Sequence, residues 1–443
     1  MSAPGGRGLF SGAVLAFGLL AAALVASAAL AQPPGTNTDE ARVPAYTLPD
    51  PLRLQGGQPV RDAAGWRERR RPEVLRLFEE CVYGKSPARP PAMRFLVVET
   101  DPRALGGRAT RRQIRVLLDG TEGGPTFEIL LYVPSGVPRP VPAFLGLNFH
   151  GNHGVHPDVG IRLSRSWVAE GPGVVGHRAT EGARGSEAAA WPVERILDRG
   201  YALATVGYGD LEPDQAGAFA DGVRARFGPG ARGPLGPSDW GAIGAWAWGL
   251  SRALDYLETD GEVDARRVAV LGHSRLGKTA LWAGAQDERF AMVVSNDSGE
   301  GGAALARRWF GETVEAITSS FPHWFAPRFR DYAGREDALP VDQHLLLALV
   351  APRPLYVASA TEDLWADPRG EFLAAKAAEP VYRLLRREGL GVDDMPAPDR
   401  PVGGTIGYHL RRGPHALTAY DWEQYLAFAD RHLRSTQAAI SSR

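Results

Sequence analysis

The second half of the chain alternates between short apolar runs and longer segments whose apolar residues recur with helical spacing. The short runs are rich in Val, Leu and Ala, as expected of buried strands, and the longer segments place their apolar residues on one helical face. Strands are predicted at residues 267–271, 292–295 and 355–359, and helices at residues 240–257, 278–285, 303–317, 370–387 and 420–433. Strands that alternate with returning helices indicate a parallel sheet with helices on both faces.

The first half of the chain shows strand-like runs with few helical segments between them. These strands are predicted at residues 95–99, 113–118, 127–133, 143–148 and 202–206, after a helix at residues 67–82. We therefore predict one α/β domain with a mostly parallel central sheet that is antiparallel at its N-terminal edge. Asp239 is the expected cap of the helix at residues 240–257, in which Trp246 and Trp248 are expected to be core residues.

The N-terminal residues have the pattern of a secretory signal peptide. Arg7 lies in a short start, an apolar stretch follows, and Ala29-Leu30-Ala31 forms a small-residue cleavage site before two prolines. The mature protein is therefore expected in the periplasm or outside the cell, without stable membrane association; a retained membrane anchor is the alternative. The chain divides into a signal peptide at residues 1–31, a Pro-rich lead-in at residues 32–60 and the α/β domain at residues 61–443.

Composition adds a large core, a balanced charge and almost no cysteine to this picture. The 443 residues are 44% hydrophobic, and 50 basic against 51 acidic side chains give a net charge of −1. A chain of this size can be held together by its core, and the balanced charge indicates neither nucleic acid nor an anionic membrane surface as a partner. Cys81 is the only cysteine and can form no intramolecular disulfide.

The segment GHSRLGKT, residues 272–279, fits two different motifs. It matches the P-loop pattern G-x-x-x-x-G-K-[ST], with Lys278 and Thr279 at the phosphate and metal positions. Around Ser274 it also resembles a nucleophile elbow with one extra residue, G-x-S-x-x-G in place of G-x-S-x-G. Both motifs require a strand, a turn and a helix. Two features favour the elbow over the P-loop. The protein is expected to be exported, and nucleoside triphosphates are scarce outside the cytoplasm. The motif also comes late in its domain, whereas a P-loop usually comes early.

An acid and a histidine follow Ser274 in the order that the elbow requires. Asp363 comes after the strand at residues 355–359, and His415 lies in a loop before the last helix. A serine hydroxyl is a weak nucleophile, so an imidazole must accept its proton, and a carboxylate must orient and stabilise that imidazole. Backbone N–H groups at the start of the following helix can face the developing oxyanion. The elbow interpretation therefore predicts a serine hydrolase.

These residues identify a resemblance to a known family. The elbow G-H-S-R-L-G-K resembles that of the glucuronoyl esterases, carbohydrate esterase family fifteen, whose pattern is G-[CH]-S-R-x-G-K. The likeness to the bacterial branch covers most of the mature chain, in LNFHGNH at 147–153, GYGD at 207–210, WAWGLSR at 246–252, SNDSGEGG at 295–302, EDLWADP at 362–368 and HA at 415–416. The resemblance implies an α/β-hydrolase fold, a three-layer sandwich.

The resemblance also implies a substrate and a set of roles. The substrate is the ester between (4-O-methyl-)glucuronic acid side groups of xylan and lignin alcohols, cleaved through an acyl-enzyme intermediate. Ser274 would be the nucleophile and His415 the base, and Arg275 would add its side chain to the oxyanion hole. The remaining implied contacts are with the sugar, from Lys278, Glu312 and Trp365. No cofactor and no nucleotide is expected, and we expect a monomer.

Two residues compete for the role of the triad acid. In the family the acid follows either the strand after the nucleophile or a later strand, and some members have both. Asp297 occupies the first place, where many relatives have Glu, and Asp363 occupies the second. Because Asp is one methylene shorter than Glu, we expect Asp363 to be the acid and Asp297 to be a supporting or alternative partner.

A histidine cluster and two other functions remain as alternatives. His150, His153 and His156, followed by Asp158, have a spacing that could bind a metal on a helix, but the glycines among them favour a loop beside the oxyanion hole and no metal. The same machinery could act on acetyl or feruloyl carbohydrate esters. A catalytically inactive carbohydrate-binding relative is the alternative from a different class.

Overall fold

The computed structural model describes Met1, residues 35–228 and residues 235–434. The predicted signal peptide, residues 1–31, lies outside the described residues apart from Met1 and stays a prediction. From the lead-in, Tyr46, Leu48, Leu52 and Leu54 pack against the core, so this segment lies along the domain. Among the described residues, none of the helices has both the length and the apolar character needed to cross a membrane.

Most of the strands lie in one sheet. The strands are β1 Arg94–Arg103, β2 Ala109–Leu117, β3 Thr126–Pro134, β4 Val141–Asn148, β5 Val174–Val175, β6 Arg178–Ala179, β7 Ala202–Gly207, β8 Val263–His273, β9 Met292–Asn296, β10 Leu355–Ala360, β11 Val402–Gly403 and β12 Ile406–Arg411. Within the described residues, β5 and β6 form a separate hairpin, and the other strands form a sheet in the order β1-β2-β3-β7-β4-β8-β9-β10-β12-β11.

The helices vary in length from single turns to several turns. The α-helices are α1 Ala63–Gly65, α2 Arg71–Phe78, α3 Ala104–Gly107, α4 Asn152–Val155, α5 Val193–Asp198, α6 Tyr208–Leu211, α7 Ala242–Leu257, α8 Arg275–Gln286, α9 Val314–Ser320, α10 Gln343–Ala348, α11 Pro368–Leu384 and α12 Ala419–Leu433. Two π-helical segments, Trp66–Arg70 and Glu79–Tyr83, adjoin α2. The 3₁₀-helices are Glu40–Arg42, Glu181–Ala183, Ala218–Asp221, Val223–Ala225, Ala306–Arg308, Pro327–Tyr332, Glu336–Ala338 and Leu364–Ala366.

The sheet has the predicted mixed character. Strands β4, β7, β8, β9, β10 and β12 pair in parallel, whereas β1, β2, β3 and β7 pair antiparallel at the N-terminal edge. A short antiparallel pairing of β11 with β12 closes the opposite edge. Helices cover both faces of the sheet, and each face has its own apolar cluster, one containing Trp246 and Trp282 and the other Trp191 and Trp422. The three-layer α/β prediction is confirmed.

Several predicted boundaries are wrong for identifiable reasons. Asp239 does not cap α7: its carboxylate accepts from the Gly236 amide at 2.6 Å, and Gly241 is the N-cap. Helix α8 begins at Arg275 rather than at residue 278. The predicted helix at residues 303–317 is broken by Trp309 and Gly311, whose φ angles of 49° and 66° are left-handed.

Three elements in the last quarter of the chain were not predicted from the sequence. They are helix α10, the short strand β11 and strand β12, which directly precedes the loop of His415. Strand β12 contains a fully buried histidine, His409, whose Nε2 lies 2.8 Å from Oδ1 of Asp421. A buried polar residue whose partner lies outside the strand interrupts the apolar pattern by which a strand is recognised.

Gly84 provides a test of how the N-terminal helices dock onto the domain. Its φ is 80°, and a Cβ atom there would lie 2.2 Å from the Cα of Trp240. We expect Gly84→Ala to lower the free energy of unfolding by about 2–4 kcal/mol, since left-handed strain and overpacking add. Urea unfolding measures this change.

Gly57 supplies the matched control for this substitution. Its φ is 85°, but nothing lies within 4 Å of a Cβ atom placed there. Gly57→Ala should therefore lose only about 1 kcal/mol, from backbone strain alone. Equal losses in the two variants would contradict the close packing of Gly84 on Trp240.

Candidate active site

Four predicted site residues follow four neighbouring parallel strands. Ser274 comes directly after β8, Asp297 directly after β9, Asp363 shortly after β10 and His415 shortly after β12. These strands are consecutive in the sheet and parallel to one another. Because the carboxyl ends of parallel strands lie at one edge, all four residues lie at the same edge of the sheet.

Ser274 sits on a strained turn between β8 and α8. Its φ and ψ angles are 58° and −130°, a conformation that L-residues rarely adopt. The turn is tight, because a Cβ atom on Gly272 would lie 1.8 Å from the carbonyl oxygen of Leu276. The Ser274 carbonyl accepts from the Gly277 amide at 2.8 Å, and the Ser274 amide donates to Asn296 at 2.9 Å. The geometry is that of a nucleophile elbow.

His415 is hydrogen-bonded to Asp363. Nδ1 of His415 lies 2.6 Å from Oδ2 of Asp363, and the side chains are 42% and 6% exposed respectively. A carboxylate on Nδ1 fixes the tautomer in which Nε2 can accept a proton. The ring of His273 lies 4.5 Å from that of His415, and burial, followed by the charge on His415, holds the pKa of His273 well below its usual range.

Asp297 contacts the loop of His415 rather than its ring. Its Oδ2 accepts hydrogen bonds from the Ala416 amide at 3.2 Å and from Arg411 at 3.3 Å, and its Oδ1 is buried without a partner. Burial, followed by the charges of Asp363 and Glu371, raises the pKa of Asp297 well above its usual range. The two candidate acids therefore differ in their partners.

Asp297, Asp363 and His415 lie close enough together to be considered as a metal site. Among the described residues, no other group of His, Cys, Asp or Glu side chains has ligand atoms that converge in this way. One atom each from Asp297, Asp363 and His415 lie within 4.8 Å of one another. The guanidinium of Arg411 pairs with the carboxylate of Asp297. Asp363 and His415 are hydrogen-bonded to each other. The arrangement suits proton handling better than binding of a cation.

Arg411 holds the loop that presents His415, and sequence reasoning missed it. Its guanidinium donates to the carbonyl oxygens of Pro414 and Ala416 at 2.8 and 2.9 Å, on both sides of His415. It also pairs with Asp421 at 3.1 Å. Arg411 is the last residue of β12 and is buried. A prediction of that strand would have placed an arginine at the sheet edge that carries the site.

Lys278, Glu312 and Trp365, the predicted sugar contacts, lie together. Nζ of Lys278 donates to the Ser298 carbonyl and lies 3.9 Å from Oε2 of Glu312. The Glu312 amide donates to the Trp365 carbonyl at 2.9 Å. Burial is the first cause of both pKa shifts, lowering that of Lys278 and raising that of Glu312. The two side chains form a buried polar pair, and Trp365 is partly exposed.

Arg275, the predicted oxyanion residue, follows Ser274 directly. Its guanidinium pairs with Asp214, a residue that sequence reasoning did not select. The nearest aromatic ring belongs to Trp324, 4.9 Å from the guanidinium carbon. Helix α8 begins at Arg275, so the backbone amides at its start lie next to Ser274.

The three histidines of the possible metal motif have separate partners. His150 lies 3.5 Å from Glu187, and His156 lies 3.0 Å from Glu194. His153 is buried on the short helix α4 and accepts a weak hydrogen bond from the Ser164 amide at 3.4 Å. The three rings shape the loop after β4 and do not converge on one point.

The chain resembles known esterases in sequence and in fold. A sequence model described as "Glucuronyl esterase, fungi" matches residues 236–386. The curated protein Carbohydrate esterase MZ0003, from an unknown prokaryotic organism, is 50% identical over 405 residues, which cover 91% of this chain and 93% of that protein. A solved structure described as a promiscuous CE15 esterase from the marine bacterial metagenome has a TM-score of 0.85 and 50% identity, covering 90% of this chain and 100% of the other.

This chain belongs to carbohydrate esterase family fifteen. It is a carboxylic ester hydrolase with the α/β-hydrolase fold. The glucuronoyl esterase from Solibacter usitatus also has a TM-score of 0.85 and 50% identity, over 89% of this chain and 100% of its own. The stretch that matches the family model includes Ser274, Asp297 and Asp363 but ends before His415.

Glu371 lies under this family fifteen site and was also missed. Its Oε1 accepts from the amides of Ser298 and Gly299 at 2.8 and 3.0 Å, and its Oε2 accepts from the Ser359 hydroxyl at 2.6 Å. It thereby ties the loop after β9 to the end of β10. Burial is the main reason why the pKa of Glu371 is raised to about 7.

This raised pKa predicts a pH dependence of stability. Because the folded protein binds the proton of Glu371 more tightly than the unfolded chain does, the carboxyl stabilises the fold below its unfolded pKa. That stabilisation is lost as the pH rises through about 7. Glu371→Gln cannot ionise, so the wild type should lose up to about 3 kcal/mol relative to this variant between roughly pH 5 and pH 8.

Urea unfolding across this pH range measures the effect. Glu315→Gln, an exposed position on α9, is the control and should follow the wild-type curve. A Glu371→Gln curve that also runs parallel to the wild type would contradict the prediction.

Proposed function

We propose that this esterase hydrolyses the ester between (4-O-methyl-)glucuronic acid side groups of xylan and lignin alcohols. The observation that carries the proposal is the buried Lys278–Glu312 pair beside the Ser274 elbow and the His415–Asp363 hydrogen bond. A fixed pair of opposite charges suits the hydroxyl groups of a sugar acid, which both donate and accept hydrogen bonds. The relative from Solibacter usitatus is described as a glucuronoyl esterase.

The proposed reaction has two steps. The hydroxyl of Ser274 attacks the ester carbonyl while Nε2 of His415 accepts its proton, and the imidazolium then protonates the departing alcohol. The resulting uronoyl-enzyme ester is attacked by water, with His415 again acting as the base, and Ser274 is released. Asp363 orients the ring through Nδ1 and stabilises its positive charge.

The oxyanion of each tetrahedral intermediate needs donors beside Ser274. Backbone amides at the start of α8 and the guanidinium of Arg275 are the proposed donors. Lys278, Glu312 and Trp365 are the proposed contacts of the sugar ring. The match to a P-loop is then a coincidence, because Lys278 is assigned to the sugar and pairs with Glu312 and the Ser298 carbonyl.

The proposed setting is outside the cytoplasm. Residues 1–31 have the pattern of a cleaved signal peptide, which fits export to the periplasm or the medium, where plant polymers are met. We propose residues 61–443 as a single catalytic domain that acts as a monomer.

Substrate choice gives the first test of this function. A benzyl ester of glucuronic acid should be hydrolysed, and Ser274→Ala should lower its turnover by about 10⁴-fold or more, since the residual rate comes from binding and the oxyanion hole alone. Released uronic acid is the measurement. Faster release of acetate from acetylated xylan would favour the acetyl esterase alternative, and substrate binding without turnover in the wild type would favour an inactive relative.

The two acids can be separated by substitution. Asp363→Ala removes the partner of Nδ1 and should lower kcat by about 10³–10⁴-fold. Asp297→Ala removes a carboxylate that contacts the Ala416 amide and Arg411, so its loss should stay within about tenfold. Steady-state kinetics on the benzyl ester measure both; equal or reversed losses would contradict the assignment of Asp363.

A further inference from the structure

Asp214 is a buried carboxylate on which three chain segments converge. Its side chain is 3% exposed, and its Oδ1 accepts from Nε2 of His323 at 2.8 Å and from Nε1 of Trp324 at 2.6 Å. Its Oδ2 accepts from the hydroxyl of Tyr208 at 3.2 Å and from the guanidinium of Arg275. The carboxylate of Asp214 is therefore held from three directions. Tyr208 lies at the start of α6, Arg275 follows the elbow, and His323 and Trp324 precede the 3₁₀-helix Pro327–Tyr332.

The guanidinium of Arg275 lies among aromatic rings. Its central carbon is 4.9 Å from the ring of Trp324 and 5.7 Å from the rings of Phe149 and Phe321. Within the described part of the chain, Asp214 is its one hydrogen-bond acceptor, and its Nε is buried without a partner. The side chain is 29% exposed, so part of Arg275 remains accessible to solvent.

The carboxylate decides the orientation of this guanidinium. Aromatic faces attract a cation but impose little direction on it, whereas a hydrogen bond to a fixed carboxylate holds one guanidinium nitrogen in place. Burial opposes ionisation of Asp214, but His323 and Arg275 outweigh it and lower its pKa to about 2. Asp214 is therefore ionised at neutral pH.

We propose that Asp214 is a positioning residue for ester hydrolysis, holding Arg275 so that its unbonded N–H groups face the oxyanion on the ester carbonyl. This inference rests on the proposed roles of Ser274 and Arg275. Donors that are already oriented stabilise the transition state without reorganisation, and a free arginine must first lose rotamer entropy. The competing interpretation is that Asp214 only ties Tyr208, His323 and Trp324 together.

A double-mutant cycle distinguishes the two interpretations. Arg275→Met keeps a long apolar stem among the rings and should lower kcat by about 10²–10³-fold. Asp214→Asn in the wild type should lower kcat by about 10–10²-fold with KM changed by less than about threefold, since the ground-state sugar contacts remain. In the Arg275→Met background, Asp214→Asn should change kcat by less than about threefold, because the residue it positions is absent.

Glu212→Gln is the matched control. Glu212 is a fully buried acid two residues before Asp214, and its Oε1 lies 2.7 Å from Nε of Arg224. The Glu212→Gln variant therefore loses a buried carboxylate–arginine ion pair, as Asp214→Asn does, but leaves the partner of Arg275 unchanged. Its melting temperature should fall while kcat stays within about twofold. If Asp214→Asn does not fold, Trp324→Phe weakens the same carboxylate anchor and replaces it in the cycle.

Three results would overturn the inference. Asp214→Asn could leave kcat unchanged, could lower kcat by the same factor in both backgrounds, or could raise only KM. Each would leave the proposed function intact if Ser274→Ala and Arg275→Met remain impaired. A fully active Arg275→Met would instead contradict the role of Arg275, and with it the role of Asp214, and Ser274→Ala would then show whether the serine mechanism still holds.

Discussion

The site depends on the parallel pairing of β8, β9, β10 and β12. His273 pairs with Asn296, Asn296 with Ala358, and Ala360 with Arg411, so the carboxyl ends of the four strands lie at nearly the same level in the sheet. Neighbouring strands lie about 4.8 Å apart, so the proposed nucleophile, two acids and base extend from adjacent points along one edge of the sheet. A shift of register by one residue in any of these strands would turn its terminal side chain to the other face of the sheet.

Buried ionisable side chains under this sheet edge hold the loops that extend from it. Glu371 joins the loop after β9 to β10, Arg411 joins β12 to the loop of His415, and Asp214 joins Arg275 to two distant segments. Burial of such groups costs free energy unless each is hydrogen-bonded. Family fifteen chemistry at this edge therefore coexists with a group of ionisable residues whose main contribution is fixed geometry.

The two aspartates near His415 have different partners because they follow different strands. Asp363 accepts from the imidazole, and Asp297 accepts from the backbone and the arginine that shape the imidazole's loop. A glutamate in place of Asp297 would reach one methylene further. The short side chain here leaves one buried oxygen without a partner, and the later strand provides the acid that contacts the ring.

The parts of the site that depend on local pattern can be recognised in the amino-acid sequence. A tight turn that needs Gly272 and Gly277 is visible in GHSRLGKT, and apolar runs before residues 274 and 363 predicted the strands that end there. The order of serine, acid and histidine then predicted a hydrolase. The same local rules gave one continuous helix at residues 303–317, where the structure has a 3₁₀-helix, a break and the start of α9, because the left-handed Trp309 has no signature in composition.

The residues that support the site are visible only in the folded chain. Asp214 and Arg275 are 61 positions apart, and Glu371 and Ser298 are 73 positions apart. Strand β12 was hidden because His409 is satisfied by Asp421 rather than by its neighbours in sequence. Hydrogen bonds and ion pairs between distant residues leave no periodic pattern, since their partners are brought together by sheet topology and not by spacing along the chain.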